Sequence, residues 1–245
     1  IGEVEEFAIE FGEAFEFGIV LGDLAAEVGL DTRDEALHLP LLLLALSIAV
    51  CVHGEAVGVD GPFALLQRLT QVGIDGKTAS RYIGVFEQMY LLRRIEVWAR
   101  NRLSRVVKTP KMQFIDAGLP ATLAAVSPEA LMRDRGRFGA LLETFVFGEL
   151  LKHAAASDDE YTLHYYRDHD QYEVDFVIEN AAGDIVGVEA KASATVKEND
   201  LRGLKRLAGL AGKRFRLGVI LYDGKETLPV GENLWAAPVS SLWGQ

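Results

Sequence analysis

Beyond about residue 160 the chain alternates apolar and polar positions in short runs: YTLHYYRD, YEVDFVIE, IVGVEAKA, FRLGVILYD and the closing LWAAPVSSLW. Period-two runs of this length read as strands. They are interrupted by ENDLRGLKRLAGLAG, whose apolar positions recur at helical spacing. Upstream, ALLETFVFGELLKHAAA is apolar on most sides, which predicts a largely buried helix, and DAGLPATLAAVSPEALMRDRGRFG is a helical and loop connection leading into it. FALLQRLTQVGIDGKTASRYIGVFEQMYLL reads as two helices, 63–71 and 77–91, joined by a short turn at Gly73 and Gly76. LLRRIEVWARN and KMQFIDAG are strand-like segments around a basic loop carrying Arg100, Arg102, Arg105, Lys108 and Lys111. A further helix is expected over 34–52, and the first 30 residues show no clean period. The pattern is α/β. It divides into a helical, winged-helix-like region over 1–120 and an α/β domain over 121–245.

Helix, tight turn and helix, followed by a basic ribbon, is the layout of a winged helix-turn-helix, which would set Lys77, Ser80 and Arg81 toward a DNA groove. An ordinary helical hairpin with a packed ribbon is the simpler alternative. GKT at 76–78 does not make a phosphate-binding loop: the position five before the GK pair is Gln71 instead of glycine, and a helix precedes it.

With 49% hydrophobic residues over 245 positions, the chain can fill a substantial core. The lone Cys51 excludes an internal disulfide and suits a reduced, cytoplasmic setting. LPLLLLALSIAVCV, 14 residues, falls short of the roughly 20 needed to span a bilayer. No membrane association is expected. Since the chain starts at Ile1, a preceding portion is expected to be missing. Net charge is −11, but unevenly spread: residues 1–61 hold 13 acids against Arg33 alone, whereas 62–118 hold ten bases against four acids. That middle block has the sign of a phosphate-facing surface.

The chemistry concentrates in EVDFVIENAAGDIVGVEAKAS, residues 173–193. If Asn180 and Asp184 flank a three-residue loop with Gly183 in the left-handed conformation, the hairpin register places Asp175 opposite Glu189. Glu189 and Lys191 share a strand face, and Asp175 joins them. Like charges so paired destabilise a sheet. A divalent cation relieves the repulsion, and carboxylates are the hard oxygen ligands Mg²⁺ or Mn²⁺ prefers. The bland alternative is a solvated face on which Lys191 neutralises the two acids. No metal spacing links the five histidines.

The order helix Glu143, strand Asp175, strand Glu189-Ala190-Lys191, then a helix with Arg202, Lys205 and Arg206 resembles the PD-(D/E)xK nuclease superfamily, with GALLE at 139–143 similar to its first motif. Val174 stands where that motif names proline, and no Q-x-x-x-Y follows Lys191. The resemblance implies a nuclease-like α/β domain on a mixed central sheet. In it Glu143, Asp175, Glu189 and the Ala190 carbonyl would hold Mg²⁺ or Mn²⁺, and Lys191 would position water for phosphodiester hydrolysis. Arg202 and Lys205 would join Lys77, Ser80, Arg81, Arg102, Arg105 and Lys108 in contacting DNA. From GKTASRYIGVFEQMYLLRRIEVWARN through KTPKMQFIDAGL, ETFVFGELLK and VGVEAKAS to GVILYDG, the chain is also similar to the C-terminal half of a family of prokaryotic AAA-type ATPases. That implies an ATPase domain in cis, ATP bound in that preceding domain and not here, DNA as partner, and possible homo-oligomerisation. A non-catalytic module binding DNA or protein and regulating the ATPase is the alternative.

Overall fold

A computed structural model of the chain describes residues 76–100, 110–123 and 126–243. Helix α1, Gly76–Gln88, leads into β1, Leu92–Val97, and β2, Lys111–Phe114. Three helices follow: α2, Gly118–Leu123; α3, Pro128–Arg133; and α4, Arg135–Ala156. Strands β3, Tyr161–Arg167, β4, Glu173–Asn180, and β5, Ile185–Lys191, come next. A 3-10 turn, Glu198–Leu201, opens α5, Arg202–Ala211; β6, Phe215–Tyr222, β7, Leu228–Gly231, and β8, Leu234–Pro238, follow, and a 3-10 segment, Val239–Trp243, ends the described chain. The strands form one mixed eight-stranded sheet, β2-β1-β3-β4-β5-β6-β8-β7. The β1/β3, β5/β6 and β6/β8 pairs are parallel and the others antiparallel.

Local chemistry sets the helix ends. Ser127 caps α3 by accepting from the Ala130 N–H, with Pro128 pre-set for the first turn. Asp134 then caps α4 at once, its Oδ1 accepting from Gly136 N at 3.1 Å and Arg137 N at 3.2 Å. Helix α1 stops at Gln88, short of the expected Leu91, because Tyr90 takes φ 58°. Tyr90 N donates to Glu87 O and Leu91 N to Phe86 O, closing the end with a left-handed residue.

The sheet is covered on both faces. Helix α4 packs over β2, β3 and β5. Its core includes Phe138, Leu142, Val146 and Phe147 against Ile95, Val97, Phe176 and Val188. Helix α5 covers β4, β5 and β6 from the other side, where Leu204 and Leu207 meet Val174, Val177, Ile185 and Ile220. Each face buries a row of fully enclosed aliphatic and aromatic side chains, the main favourable term in holding the layers together.

The structure departs from two expectations. The ribbon expected as a wing is the edge of this sheet, since β1 pairs with β2 on one side and with β3 on the other. Lys111, expected in the basic loop, is the first residue of β2 and only 1% exposed. Strand β7, LPVG, carries no alternation signal in the sequence; Pro229 is tolerated in it because it is the edge strand. The expected helices over 34–52 and 63–71, the apolar run 39–52 with Cys51, and Arg102, Arg105 and Lys108 lie outside the described residues. Among the described residues no helix is long and apolar enough to cross a membrane.

Candidate functional site

The β4–β5 hairpin turns as its loop chemistry requires. Gly183, at φ 82°, donates its N–H to Asn180 O at 2.9 Å, and the Asn180 side chain accepts from Asp184 N at 2.9 Å. The ladder then runs from Glu179↔Ile185 to Phe176↔Val188, where it ends one residue short of Asp175 and Glu189. On its other edge β4 is irregular: Tyr166 pairs with Val174 and His164 with Val177, so Asp175 and Phe176 together oppose Tyr165. This is a bulge, a device that re-aims side chains. Val174 and Val177 both face α5 while Phe176 faces α4. Asp175 turns across to β5 and accepts the Ala190 N–H on Oδ2 at 2.8 Å.

The hairpin end and the start of α5 enclose an open cleft of about 430 Å³, lined by Glu173, Asp175, Glu189, Lys191, Asp200 and Arg202 among others. Gly203 allows the close approach: a Cβ there would lie 1.8 Å from Glu173 O and 3.0 Å from Glu189 Oε1. Glu189 is 5% exposed, with Lys191 Nζ 3.1 Å from its Oε2. Burial, and then the neighbouring Asp175 charge, push the Glu189 carboxyl well above the usual carboxylate range, outweighing Lys191. Burial alone would lower the Lys191 ammonium, but Glu189 and Asp175 reverse that and raise it, so it is cationic.

Glu143 projects from α4 and does not line the cleft. Lys111 Nζ lies 2.6 Å from its Oε1, 3.7 Å from Glu173 Oε1 and 5.8 Å from the Phe176 ring centroid. Burial lifts the Glu143 carboxyl to about 7, with Lys111 opposing and Asp175 adding to the shift. For Lys111, burial is outweighed by Glu143, Asp175 and Glu173, which raise its ammonium. Asp175 thus stands between two charge systems, Lys111–Glu143 on the α4 side and Glu189–Lys191 on the α5 side.

Among the described residues, no three His, Cys, Asp or Glu side chains are set to hold a metal ion. Asp175 and Glu189 alone still suit Mg²⁺ or Mn²⁺, which take one or two carboxylates and fill the remaining positions with water or phosphate oxygens. Ala190 lies between Glu189 and Lys191, with its N–H committed to Asp175. Arg202 borders the cleft, donating to Asn199 Oδ1 at 3.2 Å and the Tyr172 hydroxyl at 3.1 Å and stacking on that ring. Lys205 pairs with Glu198, and Arg206 with Asp168 and Asp170. Glu149, the other acid of α4, pairs with Lys152 instead. Lys77, Ser80 and Arg81 are exposed at the start of α1. The pattern of residues puts Lys111 in a basic loop and does not single out Glu173, Asp200 or Gly203. Lys111 begins a strand that is buried at all four positions, and a continuous run of that kind hides which side chain meets which.

Residues 138–242 match the model of a family described as Domain of unknown function (DUF4143), and residues 58–130 match another, Domain of unknown function (DUF8612). The chain is 24% identical over 165 residues to Uncharacterized protein Rv2008c of Mycobacterium tuberculosis and, at the same identity, to Uncharacterized protein Mb2031c of Mycobacterium bovis. Each match covers 67% of this chain and 35% of the relative, so the chain spans about a third of the length of the curated relatives it matches. Among solved structures it is similar to a half-complex of Thermococcus gammatolerans McrB AAA+ hexamers with bound McrC, at 12% identity and a TM-score of 0.31, over 62% of this chain and 58% of that one. A TM-score of 0.31 is too low to carry the fold from one to the other. What the chain does show is a mixed α/β architecture on an eight-stranded sheet, with a DUF4143 match over its C-terminal part.

Proposed function

We propose that the cleft is a divalent-metal phosphodiesterase site acting on DNA, in a module that works beside an AAA-type ATPase domain. The observation that carries the reading is the convergence of Asp175, Glu189 and Lys191 on one open cleft from two neighbouring strands. Asp175 and Glu189 would hold Mg²⁺ or Mn²⁺, which when bound polarises a phosphate and lowers the pKa of a water. Lys191, cationic and anchored to Glu189, supplies a fixed positive charge where phosphate charge develops. Arg202, on the cleft border, offers a second cation to a phosphate group. The nearby ATPase domain is supported by the sequence resemblance, and the relatives' greater length leaves room for it. Exposed Lys77, Ser80 and Arg81 would add DNA contacts.

Incubation with supercoiled, linear and branched DNA in Mn²⁺ should give cleavage that falls about 10²-fold or more in Lys191→Ala, the scale on which one transition-state donor acts. Cleavage that persists undiminished in this variant would sink the reading. One observation favours a second function, a non-catalytic DNA- or protein-binding module that regulates the ATPase. The Lys111–Glu143 pair neutralises one carboxyl of the expected metal set from within the chain. DNA binding with steep salt dependence and no cleavage in Mn²⁺ would select a DNA-binding form of it.

A further inference from the structure

Lys111 occupies a place that ordinary packing does not explain. It is 1% exposed, yet its ammonium faces a wall of acids: Glu143 Oε1 at 2.6 Å, Glu173 Oε1 at 3.7 Å, and Asp175 within electrostatic reach. Lys111 Nζ and Glu143 Oε1 are within ion-pair distance of each other, and both residues are buried. Burying an ammonium and a carboxylate costs several kcal/mol per ion, which their attraction offsets only with excellent geometry and further hydrogen bonds. A methionine would fill the same space over Phe176 without that cost.

The ammonium also bears on the site. It binds the carboxylate that the sequence order assigns as a third metal ligand, and its charge lies near Asp175, which belongs to both charge systems. A second cation approaching Asp175 meets that charge and finds Glu143 already engaged.

We infer that Lys111 is the resident cation of this site: it holds Glu143 away from any divalent ion, leaving Asp175 and Glu189 as the two protein carboxylates for such an ion and setting how tightly they bind it. The inference rests on the proposed metal site and adds the residue that governs its affinity. It makes Glu143 a partner of Lys111 and not a metal ligand.

Mn²⁺ binding to the full chain, followed calorimetrically at about pH 8 so that the carboxyls can ionise, tests it. Wild type, Asp175→Asn, Glu143→Gln, Lys111→Met and the double variant Lys111→Met/Glu143→Gln are compared, with circular dichroism as a check of folding. Lys111→Met should bind Mn²⁺ about tenfold tighter or more, because Glu143 is released to turn toward the ion as a further carboxylate, and a ligand is worth about 10–100-fold in affinity. The gain should vanish in the double variant. Glu143→Gln alone should change affinity less than about threefold, whereas losing a ligand or its support costs about 10–100-fold. A tenfold loss in Glu143→Gln, or unchanged or weaker binding in folded Lys111→Met, overturns the inference. If wild-type binding is at the same time abolished in Asp175→Asn, the metal site itself stands. Binding by Lys111→Met but not by wild type supports the inference and removes a metal-dependent activity from the native protein. Absence of binding in wild type and every variant overturns both. Should Lys111→Met fail to fold, Glu143→Gln against wild type decides alone.

Discussion

Gly203 brings α5 to within touching distance of the β4 backbone, and the cleft depends on that approach. A methyl group at this position would lie 1.8 Å from Glu173 O, so Gly203→Ala must push the helix outward. A loss of about 1–3 kcal/mol in chemical denaturation is expected, the range for overpacked cores; unchanged stability would mean that the helix start is freely displaced. Glu143 and Glu189 give the site a pH signature. Both have folded-state values above their unfolded ones, Glu143 at about 7. The folded state therefore binds more protons in the intervening window. Their contribution is complete below the ordinary carboxylate range and declines as pH rises through about 7 for Glu143 and through a still raised value for Glu189. Denaturation midpoints should accordingly drop from about pH 5 to about pH 8, with a shallower drop in Glu143→Gln. A slope identical to wild type in that variant would refute the assignment. At this scale, Asp175, Glu189 and Lys191 were legible in the sequence because period two and one loop glycine fix which strand positions meet. Lys111 and Gly203 were not, since their importance arises from contacts with Glu143 and Glu173, 32 and 30 residues away.

The β4–β5 hairpin is the element that assembles the site, and its loop sets the register. Gly183 holds φ 82°, and an added Cβ would lie 3.2 Å from the Arg214 guanidinium, which itself donates to Gly183 O. Gly183→Ala should cost about 1–3 kcal/mol by the usual scale of such backbone strain, read as a shift in thermal midpoint. A neutral effect would show that the loop does not set the register. The strand runs of the C-terminal half were readable by their alternation, and α4 by its broad apolar surface. The bulge in β4 was not, because a pattern such as EVDFVIE is compatible with unbroken alternation until its β3 partner is known. Helix α1 ends earlier than its apolar pattern suggests for a similar reason: φ 58° at Tyr90 is a tertiary choice that a tyrosine does not advertise.

For the molecule as a whole, the sequence pattern separated what the fold joins. The basic block over 62–118 looked like a phosphate-facing surface. Yet Lys111 faces inward to Glu143, and Arg94 pairs with Glu87 across the end of α1. Charge counted along a chain averages over faces, so a buried lysine and an exposed one weigh the same. The ribbon β1–β2 likewise looked local, and its parallel neighbour β3 begins more than 60 residues later. A pairing at that separation leaves no local signature. The mixed α/β class survives all of this, because it rests on many short runs whose order one misread element does not change.

The bulge also makes β4 a strand that keeps count. Residues before it are one step out of phase with those after it, so both Val174 and Val177 feed the α5 core. Removing one residue from this strand would restore a regular pleat and exchange the faces of everything on one side of the cut. Substitutions here can be judged singly by size and charge, but a change in length cannot: the strand's parity belongs to the site as surely as Asp175 does.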